Sequence, residues 1–66
     1  MRNKLKLERQ LAGLTQAQLA KQIGLSQQTI SKHESGKTTP GHFVIIRQYE
    51  KALGVSAEIL FPDIFI

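Results

Sequence analysis

Apolar residues recur along the chain at three- and four-residue intervals, interrupted by glycine, and the pattern predicts five short helices. The first spans about Asn3 to Ala12, with Leu5 and Ala12 seven apart on one face and Gly13 where a left-handed residue ends a helix. Thr15 heads the second: Gln18, three residues on, completes a capping box, Leu19, Ala20 and Ile23 follow at helical spacing, and Gly24 stops it. Ser26 is the N-cap of a third helix over about Gln27 to Ser35, with Ile30 and His33 as inward candidates and Gly36 as its end. Lys37 to Gly41 reads as a polar loop, and Pro40 precedes a fourth helix from about His42 to Leu53 whose buried stripe is Phe43, Ile46, Tyr49 and Leu53. The β-branched run Val44 to Ile46 also suits a strand, but the signals on either side and the stripe spacing favour helix. Gly54 ends it, Ser56 caps a short fifth helix carrying Ile59, Leu60 and Phe61, and Pro62 closes the helical pattern. A tail from Asp63 to Ile66 remains, and no internal repeat or low-complexity segment interrupts the series.

Length and composition narrow the function. With 66 residues the chain is one domain, residues 1–66, that buries only about 60% of the surface its unfolded form exposes, which leaves little volume for a catalytic cleft. The absence of cysteine removes disulfides, thiolate catalysis and Cys-based zinc sites, and fits a reducing cytoplasm. With His33 and His42 as the only histidines, no metal site is expected. The longest apolar run, Phe43 to Ile46, is far below the roughly 20 residues of a membrane span, and no apolar stretch follows the N-terminal charges. Nucleophile motifs, paired carboxylates and phosphate loops are absent, so no catalytic residue and no cofactor are expected.

Charge adds a direction. Residues 1–37 carry seven basic side chains against Glu8 and Glu34, a balance of +5, whereas residues 38–66 carry Arg47 and Lys51 against Glu50, Glu58 and Asp63, a balance of −1. The basic half suits a polyanion, although a solvated lysine-rich surface has the same composition.

The densest signal runs from Thr15 to Lys37. Ala20 is small where two helices cross, Gly24 permits the positive φ of a tight turn, and Ile23, Leu25 and Ile30 can wedge the helices at a fixed angle, which is helix-turn-helix geometry over about residues 15–35. The outward face of the second helix then shows Gln27, Gln28, Ser31 and Lys32. Glutamine pairs bidentately with the N6 and N7 edge of adenine and lysine donates to guanine O6 and N7, so this face suits the major groove; a plain polar surface is the competing reading.

Leu14-Thr15-Gln16, Leu19-Ala20, Ile23-Gly24, Ser26-Gln27, Thr29-Ile30-Ser31-Lys32, Glu34, Gly36-Lys37 and Ala52-Leu53-Gly54-Val55-Ser56 stand in an order and spacing that resembles the Cro/C1-type, or Xre-like, helix-turn-helix regulators of bacteria and phages, over about Leu5 to Leu60. The resemblance implies an all-α, compact five-helix, lambda-repressor-like DNA-binding domain that acts as a homodimer on a palindromic double-stranded operator, most simply as a repressor. By the same resemblance Gln27, Gln28 and Lys32, with Ser31 beside them, match base-contacting positions; Gln16, Ser26, Lys37 and Thr38 match phosphate-contacting ones; and Arg9 and Glu34 match a partly buried ion pair. The positive end of the second helix also favours a phosphate at Gln16. Arg9 as a phosphate contact is the alternative.

The sequence departs from this pattern in three places. His33 stands where relatives carry an aliphatic or aromatic residue, so it either packs as a neutral histidine or leaves the interior wet. The segment Lys37 to Phe43 is about one residue longer than in close relatives. Phe61 and the tail (62–66) form an apolar cluster, Phe61, Ile64, Phe65 and Ile66, that either folds back on the core or forms a dimer contact, the latter being favoured. Leu7 and Leu11 either extend the core or form a second patch. A different class of function is an antitoxin-like module whose apolar C-terminus engages a protein partner. No ligand-sensing domain fits the length, so no small-molecule effector is expected, and a phage or mobile-element setting fits the resemblance.

Overall fold

A computed structural model describes residues 1–65, and the expectation placed on Ile66 lies outside them. Five helices follow in order: α1 Asn3–Leu11, α2 Gln16–Ile23, α3 Gln27–Ser35, α4 Phe43–Leu53 and α5 Ala57–Leu60, with no strand among the described residues. Helix α2 lies against α3 and α4, α1 against α3 and α5, and α4 against α5. The core at their meeting is Leu5, Leu19, Ala20, Ile30, Ile46, Tyr49, Ala57, Leu60 and Phe61, rimmed by partly buried Leu14, Ile23, Leu25, Ile45, Ala52, Leu53 and Val55. Truncating a fully enclosed member such as Leu19 to alanine would cost about 2–5 kcal/mol, since lost transfer energy and a cavity add.

The starts of α2 and α3 are built from local chemistry. Thr15 Oγ1 accepts from the Gln18 amide at 3.1 Å while Gln18 Oε1 accepts from the Thr15 amide at 2.9 Å, so two donors that α2 leaves orphaned are both satisfied. Ser26 Oγ does the same for the Thr29 amide at 3.1 Å. Between them Gly24 takes φ +85°, and the carbonyl of Ala20 accepts from the amides of both Gly24 (2.8 Å) and Leu25 (2.9 Å). A Cβ at Gly24 would meet no neighbour, so the glycine is needed for its backbone angle alone.

Four sequence expectations are corrected. Phe43 is 70% exposed. It is the first residue of α4, so its side chain points back beyond the packed turns, and the buried stripe begins at Ile46. Phe61, expected in the tail's contact surface, is fully enclosed, edge-on to Tyr49 with ring centroids 5.2 Å apart. It ends α5 at the point where the chain turns across the core. Ala12 is exposed and Arg9, not Ala12, shares the inner face of α1 with Leu5. Ser56 precedes α5 without a side-chain cap, and Glu50 Oε2 accepts the Ala57 amide at 2.6 Å instead. The reversal at Gly54 brings the last turn of α4 over the start of α5, and a carboxylate there meets the helix's positive end.

Candidate nucleic-acid interface

Helix α3 divides into two faces. Ile30, His33 and Glu34 are buried, whereas Gln27, Gln28, Ser31, Lys32 and Ser35 are exposed. Gln28, Ser31, Lys32, Ser35 and Lys37 line one shallow depression, so the end of α3 and the loop after it form a continuous polar surface. Gln27 and Gln28 begin the helix, directly after the Ser26 cap. Ser26 Oγ, besides capping, lies 2.8 Å from Thr29 Oγ1, and when Thr29 donates to it the Ser26 proton is free to turn outward.

Beneath this face a carboxylate organises the first helix and the start of the second. Glu34 Oε2 accepts from Arg9 Nε at 2.6 Å, and Glu34 Oε1 accepts from Arg9 Nη2 at 3.3 Å and Gln16 Nε2 at 3.1 Å. Arg9 Nη1 donates to the Leu14 carbonyl at 2.7 Å. The Arg9 guanidinium is thus buried, with each of its three nitrogens bonded to an internal partner. Gln16 is half-buried: one amide hydrogen is fixed by Glu34 and the second remains beside the N-terminus of α2.

His33 packs inward, its Nδ1 2.7 Å from the Tyr49 hydroxyl and its ring edge-on to the Tyr49 ring. Burial, and secondly the Arg2 charge, lower the His33 imidazole from its usual value of 6.5. Burial, with Glu34 next and Arg2 opposing, raises the Tyr49 phenol well above its usual range. A neutral imidazole and a protonated phenol can share one hydrogen bond in either tautomer, which is how a histidine packs inward here without leaving a buried polar atom unpaired among the described residues.

Sequence reasoning passed over Arg2. Its side chain is enclosed and its guanidinium spans three parts of the fold. Nε and Nη2 grip Asp63 Oδ1 and Oδ2 at 3.1 and 2.9 Å; Nη1 donates to the carbonyls of His33 (2.7 Å) and Thr38 (2.8 Å); Nη2 also donates to Thr39 Oγ1 (2.9 Å). The Phe61 ring lies beneath, 5.3 Å from the guanidinium carbon. An arginine in an N-terminal run of charges carries no local sign of burial.

Of the tail, Ile64 and Phe65 are exposed. Phe65 shares with Phe43, Ile46 and Ala57 the lining of a groove of about 260 Å³ between α4 and α5. On α1, Leu7 and Leu11 are both exposed, so neither extends the core. Among the described residues no group of acidic or histidine side chains is placed to hold a metal ion, and no helix is long and apolar enough to cross a membrane.

Two capped helices joined by a glycine turn, the second presenting a polar outer face over a buried ion pair, define a helix-turn-helix domain. The chain belongs to the helix-turn-helix family, whose sequence profile matches residues 5–60. Over all 66 of its residues it is 46% identical to an uncharacterized HTH-type transcriptional regulator of Methanocaldococcus jannaschii, covering 92% of that protein. No solved structure gives a significant match.

Proposed function

We propose that this chain is a sequence-specific double-stranded DNA-binding transcriptional regulator, most simply a repressor, that reads a palindromic operator as a homodimer with α3 in the major groove. The observation that carries this reading is the exposed α3 face of Gln27, Gln28, Ser31 and Lys32, which offers amides, a hydroxyl and one cation where a generic surface helix would offer paired charges. Gln27, Gln28 and Lys32, with Ser31, read base edges. Gln16, Ser26, Lys37 and Thr38 hold phosphates on either side, and the +5 balance of residues 1–37 supplies the attraction that does not depend on sequence. Glu34 orients Gln16 toward the backbone through the hydrogen bond that ties both to Arg9.

The partner of the C-terminal side is a second copy of the chain. Phe43, Val44, Ile64 and Phe65 leave apolar side chains exposed, and their burial against a second copy would be favourable. A palindromic operator requires a two-fold pair with α3 helices about one DNA turn apart.

The test is selection from a random-sequence duplex pool at fixed salt, run beside a Gln27→Ala, Gln28→Ala double variant. The expected result is a two-fold symmetric motif that the double variant loses while keeping weak nonspecific binding. If the wild-type chain enriches no motif, the operator reading fails, and the exposed apolar surface then points to an antitoxin-like role in which a different protein is the partner.

A further inference from the structure

Arg2 is placed to do more than fill space. All five of its N–H donors are used: two on Asp63, two on the carbonyls of His33 and Thr38, and one on Thr39 Oγ1. Two of these partners belong to the loop that follows α3, and a third is a carbonyl of the last turn of α3 itself, where the helix's negative end favours a cation. The Arg2 amide adds a bond to the Glu34 carbonyl at 2.9 Å. In contrast, the backbone bonds that the loop makes to α3 are long: Thr38 N to Lys32 O is 3.4 Å. Pro40 anchors the far end of this loop by burial, and the exposed stretch before it that carries Lys37 and Thr38 is held by hydrogen bonds from one side chain at the other end of the sequence. Asp63, whose side chain is 54% exposed, fixes the orientation of that side chain by the bidentate pair.

We infer that Arg2 is a positioning residue for the phosphate-facing loop, clamped by Asp63 so that the loop is ordered before nucleic acid arrives. The inference rests on the DNA-binding reading and deepens it by assigning residues that touch no DNA. A loop ordered in advance does not lose that freedom on binding, so its release costs affinity without altering which bases are read. It also ties the C-terminal tail to the DNA-facing surface: whatever pulls Asp63 away frees the loop.

The sign of one substitution separates this clamp from simple electrostatics. Asp63→Asn removes a negative charge and leaves the positive charge of Arg2 less neutralised, so charge alone makes binding to a random-sequence duplex tighter. The clamp makes it weaker, by about fivefold at fixed salt. Glu8→Gln changes the charge equally at a side chain that bonds no member of the clamp, and is expected to bind as tightly as the unmodified chain or more so. Arg2→Lys keeps the charge but loses the planar fork, and weakens binding too. Amide hydrogen exchange supplies a readout independent of DNA: in Asp63→Asn and Arg2→Lys the Thr38 amide exchanges faster while that of Ile30, in the core of α3, keeps its protection. The proposal is overturned if Asp63→Asn binds duplex as tightly as the unmodified chain, or if Thr38 and Ile30 lose protection together. An unmodified chain that binds no duplex removes the DNA-binding reading and the proposal with it, and that outcome is distinguishable because it precedes any comparison of variants.

Discussion

Gln16 and Glu34, 18 positions apart in the chain, meet at 3.1 Å through a side-chain amide and a carboxylate that also carries Arg9. One buried negative charge therefore serves two neighbours with different jobs: it neutralises an enclosed guanidinium and it fixes the side-chain amide of the first residue of α2. These roles separate by substitution. Glu34→Gln leaves Arg9 buried without a counter-charge, and chemical denaturation is expected to show a loss of about 3–5 kcal/mol. Gln16→Ala removes only one hydrogen bond from the network, for a loss of about 0.5–1.5 kcal/mol. Its larger effect is expected in duplex affinity, with the salt dependence nearly unchanged because an uncharged amide displaces no counterion, measured by titration at several salt concentrations.

The buried His33 makes stability depend on pH. Its folded pKa is lowered from 6.5, so between the two values the unfolded chain binds the proton that the folded chain refuses. Stability is present in full above about 6.5 and falls as pH drops from there toward the folded value. Asp63, lowered from 3.8 chiefly by its hydrogen bond to Arg2, adds a second loss further down, as pH falls below 3.8. Urea midpoints across this range are expected to decline in those two stages, and His33→Phe should abolish the first. An undiminished first stage in that variant would mean another group titrates.

The bond from Tyr49 to His33 is open to a smaller change. Tyr49→Phe keeps the ring edge-on to Phe61 but strands His33 Nδ1 in the interior, for a loss of about 1–3 kcal/mol. Part of that loss is expected to be recovered in a double variant that also replaces His33 by leucine, since removing both partners leaves no unsatisfied group. A thermal-melt cycle over the four proteins measures the coupling.

Helix α5 offers a direct contest between what its sequence suggests and what its packing supplies. Ser56→Ala is expected to change stability by less than about 0.5 kcal/mol, because the serine caps nothing. Glu50→Ala, on the preceding helix, should cost about 1 kcal/mol by uncapping the Ala57 amide. The reverse order in urea denaturation would show that the serine does the capping in solution.

The two aromatic residues of the C-terminal side should part company in the same way. Phe61→Ala opens the core and is expected to lose about 3–5 kcal/mol, enough to unfold so small a domain at moderate temperature. Phe65→Ser is expected to leave the melting curve of the monomer nearly unchanged. Sedimentation should show it shifted toward monomer, and an unaltered dimer would remove the tail from the interface.

Much of this molecule is legible one helix at a time. The capping box of Thr15 and Gln18, the Ser26 cap, the positive-φ glycines that end α2 and α3 and the outward polar face of α3 are all interactions within about four residues, and the chain states them in order. Local sequence therefore determined the helices, the ends of α2 and α3 and the surface that the proposed function uses. Only the tertiary structure decided which residues at the edges of that pattern fall inside. Phe43 and Phe61 are the same residue type, yet one lies at the unpacked start of α4 and the other at the closing corner of the core. Arg2 and Asp63 are 61 positions apart, and Glu50 reaches the start of a different helix. Such contacts have no periodicity to announce them, because the geometry that makes a buried arginine favourable is created by the fold itself, once five donors find five acceptors in one place.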